Sequence, residues 1–207
     1  MSGASGDGGA VPPIILASSS PRRRRLLEML GLDFRSVPSE IEEVLQDGED
    51  TSGHVERLAR EKALAVAASY PDALVIGGDT IVVVDRTPMG KPESEADAVA
   101  MLLRLQGAMH RVETGVAVIA PGGQMKSSVV RVRVWFRAFD QRTAVQYVST
   151  GEPMDKAGAY GIQGYGATLV DRIDGDYFAV MGLPLARLVS LLRAVGWHYT
   201  FRGIEAL

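Results

Sequence analysis

The stretch that most constrains this chain is residues 74–84, an apolar run rich in Val and Ile that is interrupted by Gly77, Gly78, Asp79 and Thr80. Such a run predicts a strand that is buried on both faces. An ionised carboxylate in a core is costly unless it is paired or bound to a metal. Either the strand presents Asp79 to an active site, or Asp79 lies in a loop between two short strands. The glycines would allow another backbone or a ligand to approach closely.

A second unusual feature is the junction between an apolar strand at residues 14–17 and a helix predicted to begin at a Ser-Pro pair, residues 20–21. Serine is a favourable N-cap, and proline is well tolerated at the first helical position. The first turn carries Arg22 and Arg23, although helix N-termini favour acidic groups. Backbone N–H and guanidinium groups together make a phosphate site. We therefore expect Arg22 and Arg23 to bind phosphate, and the two following arginines to lie in solvent.

Three more polar positions are candidates for an anion-binding or metal site. Lys62 falls on the apolar face of a helix predicted to begin after a cap at Thr51 or Ser52 and to end near residue 69. There it either extends to water or points at an anionic ligand. Lys91 precedes the next predicted helix, within reach of a phosphate or simply exposed. Glu43 ends an acidic run that is either a solvated loop or the source of a metal ligand.

The second half of the chain predicts a strand pair, a helix and then a glycine-rich segment. Residues 110–120 and 130–136 alternate between apolar and polar side chains, as strands with one buried face do. Glycine is dense between Gly158 and Gly166, which suits a loop whose backbone lies against a ligand. Gln163 lies in that loop. The remaining predicted elements are a hairpin, a helix and an edge strand at residues 168–181, 184–196 and 197–201.

Composition bounds the class of protein. A chain of 207 residues with 46% hydrophobic and 23% charged residues is typical of a globular protein with a substantial core. The net charge of -3 argues against nucleic acid or an acidic membrane as partner. Outward-facing Arg131, Arg133, Trp135 and Arg137 leave a nucleic-acid face as a minor alternative. Without cysteine there is no disulfide, thiol nucleophile or zinc-thiolate site.

The ends and the hydropathy suggest a cytoplasmic protein. Residues 1–13 are rich in Gly and Ser, lack the basic start of a signal peptide, and predict a flexible tail before a single domain at 14–207. No apolar run approaches the roughly 20 residues of a membrane span.

Five motifs stand in order along the chain, at residues 16–23, 60–63, 77–82, 91–92 and 155–163. Together they resemble the Maf family of nucleoside triphosphate pyrophosphatases, although any one of the motifs alone would be weak. The resemblance covers roughly residues 14–195. It departs at Arg25, where the family often has Glu, and in the additional N-terminal tail.

The resemblance implies a fold, a reaction and an assembly. The fold is α/β, with an elongated, mixed and partly antiparallel sheet flanked by helices. It forms two lobes with a central cleft, similar to the inosine-triphosphate pyrophosphatases. The reaction is hydrolysis of a nucleoside triphosphate to the monophosphate and pyrophosphate with a divalent metal, Mg²⁺ or Mn²⁺. The assembly is a homodimer.

The resemblance also assigns roles to residues by their position in the motifs. Asp79 is then the proton acceptor, and the base-selecting residues are Arg22, Thr80 and Gln163. The Gly-Asp-Thr form together with Gln163 resembles the subgroup that acts on dTTP and UTP, and the amide of Gln163 offers the donor and acceptor that pair with uracil or thymine. The expected metal ligands are Glu43 and Asp79. The other expected substrate-binding residues are Ser18, Arg23, Lys62 and Lys91.

Two alternatives stay open at this point. The same reaction on another base, such as 7-methyl-GTP, would keep the chemistry and change the selectivity. A non-catalytic nucleotide-binding or cell-division regulatory module would keep the cleft without the reaction, and it would tolerate the loss of Asp79.

Overall fold

A computed structural model describes residues 11–207, so residues 1–10 of the predicted tail lie outside the described residues. Within 11–207 the strands are β1 (Ile14–Ala17), β2 (Phe34–Ser36), β3 (Leu74–Val84), β4 (Thr87–Met89), β5 (Met109–Ile119), β6 (Met125–Phe136), β7 (Val170–Asp174), β8 (Trp197–Tyr199) and β9 (Ile204–Ala206). The α-helices are α1 (Pro21–Met29), α2 (Thr51–Ala67), α3 (Glu95–Leu105), α4 (Gln141–Val148), α5 (Tyr177–Met181) and α6 (Leu185–Ala194).

Seven of these strands form one mixed sheet, which confirms the predicted fold class. Its order is β2-β1-β3-β5-β6-β7, with β4 paired to the end of β3. Strand β1 is parallel to both β2 and β3, whereas β3, β5, β6 and β7 pair antiparallel in turn. The long strands β3 and β5 therefore lie at the centre of the sheet, and they run through both halves of the molecule.

One face of the sheet carries two separate hydrophobic cores, and β3 crosses from one to the other. Leu74 and Ile76 pack in the first core with α1 and α6. Val82 and Val84 pack in the second core with α3 and α4. Asp79 and Thr80 lie between these two pairs, inside the strand. The predicted two-lobed shape thus results from one strand whose polar midpoint separates two apolar ends.

The opposite face of the sheet is covered by α2, which packs unusually close. A Cβ added at Gly77 would lie 2.2 Å from the carbonyl oxygen of Ala59, and one at Gly115 would lie 2.1 Å from that of Val55. Only glycine permits this approach of helix backbone to strand backbone. The neighbour approached by Gly77 is therefore a helix rather than a ligand, and the close packing fixes the height of Lys62 above the sheet.

Three predictions of local structure are wrong. The N-cap of α2 is Asp50, whose carboxylate accepts from the Gly53 N–H, rather than Thr51 or Ser52. Residues 177–181 form helix α5 instead of a hairpin strand, because Asp176 caps their first N–H groups. Strand β8 pairs with β9 in a small sheet of its own rather than at the edge of the main sheet.

Helix α2 is 17 residues long. Neither it nor any other helix within residues 11–207 has the length and apolarity to cross a membrane.

Candidate active site

A cleft of about 560 Å³ opens where β3 passes between the two cores. Both lobes contribute to its wall, since Met181 belongs to the first core and Tyr160 to the second. All nine predicted substrate-binding, catalytic and metal-binding side chains line it, although they come from six separate stretches of chain. They are Ser18, Arg22, Arg23, Glu43, Lys62, Asp79, Thr80, Lys91 and Gln163.

The lining is more basic than the protein as a whole. Among residues 11–207, six cationic side chains and four carboxylates face the cleft, whereas the whole chain carries a net charge of -3. A low-dielectric cleft of this sign concentrates anionic ligands. The cations are Arg22, Arg23, Arg25, Lys62, Lys91 and Lys156, and the carboxylates are Glu43, Asp79, Glu152 and Asp155.

Lys62 joins the two predicted metal ligands. Its Nζ lies 2.7 Å from Asp79 Oδ1 and 2.5 Å from Glu43 Oε1. The side chains of Lys62 and Asp79 are 8% and 10% exposed, so each charge is compensated in a place that excludes most water. Burial raises the pKa of Glu43, but the hydrogen bond and the charge of Lys62 outweigh it and hold the pKa below its ordinary value. Lys62 therefore points at carboxylates and not at water.

Arg23 ties α1 to the centre of the sheet. Its Nε donates to the carbonyl of Gly182 at 2.8 Å, Nη1 to Ser18 Oγ at 3.1 Å, and Nη2 to Thr80 Oγ1 at 3.2 Å. Burial lowers the pKa of the Arg23 guanidinium, although the charge of Asp79 opposes the shift. Three of its five N–H groups are thus used within the described residues, which leaves two for a ligand.

Arg22 extends across the cleft from α1 to Asp155, which precedes the glycine-rich segment. Its Nη1 lies 3.2 Å from Asp155 Oδ2, and the Asp155 side chain is 62% exposed. Lys156 Nζ lies 2.5 Å from the other carboxylate oxygen of Asp155. An exposed pair of this kind contributes little to stability, so an anionic ligand can displace Asp155 from Arg22 at low cost.

The glycine-rich segment is held in shape by Glu152 and Tyr147. Glu152 accepts hydrogen bonds from the Tyr147 hydroxyl (2.8 Å) and from the N–H groups of Tyr165 and Gly166 (both 2.9 Å). The Tyr147 oxygen in turn accepts from the N–H of Gly161 at 3.0 Å. A Cβ at Gly166 would lie 2.3 Å from the carbonyl oxygen of Gly161. These hydrogen bonds from Glu152 and Tyr147 thus fix the glycine-rich segment in the conformation that places the exposed Gln163 at the cleft.

The match to known families is extensive. The Maf family model, described as Maf-like protein, matches residues 13–195. The chain belongs to the Maf family. It is 48% identical over 173 residues to a dTTP/UTP pyrophosphatase of Geobacillus sp. (strain WCH70), covering 84% of this chain and 92% of that protein. It is 51% identical to a dTTP/UTP pyrophosphatase of Moorella thermoacetica, covering 83% and 89%.

Two solved structures resemble this Maf chain weakly. A nucleoside-triphosphatase / dITP/XTP pyrophosphatase from Mycobacterium abscessus has a TM-score of 0.40 at 18% identity, over 60% of this chain and 74% of that one. The Ham1 protein of Staphylococcus aureus has a TM-score of 0.45 at 15% identity, over 76% and 79%.

The donor set of the cleft fits a metal that arrives with a phosphate ligand. Within residues 11–207 no group of three or more His, Asp or Glu side chains is arranged to hold a metal alone. Mg²⁺ is commonly bound by one or two carboxylates plus substrate phosphates. Asp79 and Glu43 supply oxygens of that kind, and both carboxylates contact the Lys62 ammonium. A metal at this point would need further oxygen ligands, which a bound triphosphate could supply.

Sequence reasoning missed three residues that organise the cleft of this Maf protein. Thr114, Tyr147 and Glu152 bind the predicted residues or their loops. No motif in the sequence adjoins Thr114 or Tyr147. Glu152 was detectable only as an acid immediately before the glycine-rich motif. Arg25 is exposed, as predicted, but it also lines the cleft.

Proposed function

We propose that this protein hydrolyses dTTP and UTP to the nucleoside monophosphate and pyrophosphate. The observation that carries the proposal is the buried Asp79–Lys62 pair at the centre of a basic cleft formed by both lobes. Relatives that share 44–51% of their residues with this chain are named dTTP/UTP pyrophosphatases, which supports the same substrates. The proposal includes a divalent cation, Mg²⁺ or Mn²⁺, held by Asp79 and Glu43 together with the substrate.

The reaction needs one proton acceptor and several fixed positive charges. A water oxygen attacks the α-phosphorus, its proton passes to Asp79, and the bond between the α-phosphorus and the bridging oxygen breaks to release pyrophosphate. Lys62 donates to only one oxygen of Asp79 in the structure, so the other oxygen is available for the water. The bound cation would neutralise phosphate charge.

The remaining cationic side chains bind the leaving group in this proposal. Arg22 and Arg23 flank the N-terminus of α1, where backbone N–H groups add to the positive field. Lys91 is exposed and makes no ion pair within the described residues, so its ammonium is available for a terminal phosphate. These charges offset the developing charge on pyrophosphate.

Base selection falls to Gln163 and Thr80. The Gln163 amide carries both a donor and an acceptor, which match the alternating carbonyl and N–H groups of uracil and thymine. Gln163 is exposed in the glycine-rich segment and Thr80 lies on the central strand, so a base lodged between them contacts both lobes. The expected homodimer and the expected cytoplasmic location stay predictions.

Pyrophosphate release from a nucleotide panel tests the proposal. Wild type, Asp79→Asn and the control Asp171→Asn are compared on dTTP, UTP, CTP, GTP and 7-methyl-GTP with Mg²⁺ or Mn²⁺. Asp171 is exposed on β7 and does not line the cleft. We expect rapid release from dTTP and UTP, retained in Asp171→Asn and reduced at least about 100-fold in Asp79→Asn, as loss of a general base predicts.

The other outcomes separate the alternatives. Release from 7-methyl-GTP alone would keep the chemistry and contradict the assignment of Thr80 and Gln163. No release from any nucleotide would favour a non-catalytic nucleotide-binding module.

A further inference from the structure

A directional chain of hydrogen bonds runs from Arg23 through the cleft wall into the protein interior. Arg23 Nη2 donates to Thr80 Oγ1 at 3.2 Å, and the hydroxyl oxygens of Thr80 and Thr114 are 3.1 Å apart. Thr114 Oγ1 donates to the carbonyl oxygen of Ala179 at 2.8 Å. Thr80 lines the cleft, whereas Thr114 is 0% exposed and lies behind it.

The numbers of hydrogens and lone pairs on these groups determine which group donates in each hydrogen bond of the series. A hydroxyl has one hydrogen to donate and two lone pairs, a carbonyl only accepts, and a guanidinium only donates. Because the hydrogen of Thr114 goes to Ala179, Thr114 can only accept from Thr80. Because Arg23 can only donate, Thr80 accepts from it. The hydrogen and one lone pair of Thr80 are therefore used inside the protein, and one lone pair remains for a ligand.

We infer that Thr114 is a positioning residue that holds Thr80 as a hydrogen-bond acceptor toward the cleft and thereby selects bases with a ring N–H. The inference rests on the proposed function, because it requires the base of the substrate to lie against Thr80. Uracil and thymine present N3–H, which the free lone pair of Thr80 accepts. Cytosine presents a lone pair at N3, and two lone pairs that face each other repel.

The burial of Thr114 stabilises this donor and acceptor arrangement, in which Thr80 donates to Thr114 and Thr114 donates to Ala179. Reversing these hydrogen bonds would take the Thr114 hydrogen away from the Ala179 carbonyl, and losing one of the two hydrogen bonds of that carbonyl beside a fully buried hydroxyl is unfavourable. It would also turn the Thr80 hydrogen into the cleft. The carbonyl of Ala179 keeps a second donor, the N–H of Gly182 at 3.0 Å, so loss of the Thr114 hydroxyl leaves no orphaned group on α5.

The test compares Thr114→Val with Thr114→Ser. Valine keeps the shape of threonine and removes the acceptor, so the hydrogen of Thr80 turns to the cleft and Thr80 becomes a donor. Serine keeps the hydroxyl and loses only the methyl group. We expect the ratio of kcat/KM for UTP to kcat/KM for CTP to fall about ten-fold in Thr114→Val, as one reversed hydrogen bond predicts. Thr114→Ser should stay within about two-fold of wild type. Thr114→Ala replaces the valine variant if the latter does not fold.

Two results would overturn the inference. One is an unchanged UTP to CTP ratio in Thr114→Val. The other is an equal fall in Thr114→Ser, which would mean that packing of the methyl group and not the hydroxyl sets selectivity.

Failure of the proposed function is distinguishable from failure of the inference. If wild type cleaves neither nucleotide, the proposed function fails, and calorimetric binding of UMP and CMP then decides the role of Thr114. A preference for UMP that is lost in Thr114→Val and kept in Thr114→Ser supports it, and an equal preference in all three proteins overturns it.

Discussion

Replacing Gly77 by alanine is expected to force α2 away from the sheet. The new Cβ would lie 2.2 Å from the carbonyl oxygen of Ala59, and ordinary contact begins at 3.4 Å, so helix and strand must separate by about 1.2 Å. The obstacle is backbone, with the backbone N and Cβ of Ala63 also at 3.0 Å, so no side-chain rotation relieves it. Overpacking of this kind costs about 1–3 kcal/mol, and we expect the upper end of that range.

The neighbouring glycine supplies a matched control. A Cβ at Gly78 would meet Arg23 Nε at 3.3 Å and the carbonyl oxygen of Gly115 at 3.4 Å, which a shift of the flexible arginine accommodates. Gly78→Ala should therefore cost less than about 1 kcal/mol. The two substitutions add the same methyl group on opposite faces of one strand.

Urea unfolding followed by circular dichroism measures the difference. We expect Gly77→Ala to lower the midpoint strongly with little change in slope, and Gly78→Ala to lower it slightly. The displaced α2 also carries Lys62, whose Nζ lies 2.7 Å from Asp79, so Gly77→Ala should release pyrophosphate more slowly than its loss of stability alone explains. Equal midpoints for the two variants would refute the idea that Gly77 sets the height of α2.

Three more predictions follow from the polar contacts. Burial lowers the pKa of His110 to about 4. The unfolded chain therefore binds more protons between pH 6.5 and pH 4, and the free energy of unfolding falls by about 3 kcal/mol on acidification through that window. Urea midpoints across the window should show this slope in wild type and not in His110→Phe. The Arg57 hydrogen bonds hold the pKa of Glu49 at about 2, and Arg57→Met should raise it toward the ordinary value in a carbon-detected NMR titration; an unchanged value would contradict the ion pair. Tyr147→Phe removes the acceptor for the Gly161 N–H, so that amide should exchange its hydrogen with solvent faster than in wild type. An unchanged exchange rate would show that the glycine-rich segment keeps its conformation without Tyr147.

The strand at the centre of the fold was predictable because its signal is local. The run from residue 74 to residue 84 is strongly β-branched, and Asp79 stood out as a charge in a buried strand. The structure confirms the strand hypothesis over the loop hypothesis and places Asp79 at the cleft. The start of α1 was predictable for the same reason, since Ser20 accepts from the N–H of Arg23 and proline follows it.

The partners of these residues were not predictable, because they are distant in the sequence. The sequence allowed two interpretations of Lys62, an ammonium that extends to water or one that points at an anionic group. Only the packing of α2 on β3 shows that it contacts Asp79 and Glu43. The carbonyl that Arg23 binds lies 159 residues along the chain, at Gly182. Nothing in the sequence around Thr114 indicates that its hydroxyl lies behind Thr80.

One short apolar segment was predicted wrongly because its composition fits two conformations and a local cap decides between them. The five residues from Tyr177 to Met181 fit a strand as well as a helix by composition, and the Asp176 side chain resolves this by capping the first N–H groups.

Asp50, Thr51 and Ser52 are all acceptable caps for α2. The structure uses the first, because the other two hydroxyls donate to the buried Glu113 instead.

Product analysis of UTP by ³¹P NMR tests the central claim most directly. The protein is incubated with UTP and Mg²⁺, and the phosphorus resonances are followed as the substrate disappears. Attack at the α-phosphorus inside the cleft predicts UMP and pyrophosphate in equal amounts, with no UDP at any time. UDP and inorganic phosphate would contradict the account, since they require attack at the terminal phosphorus, away from Asp79.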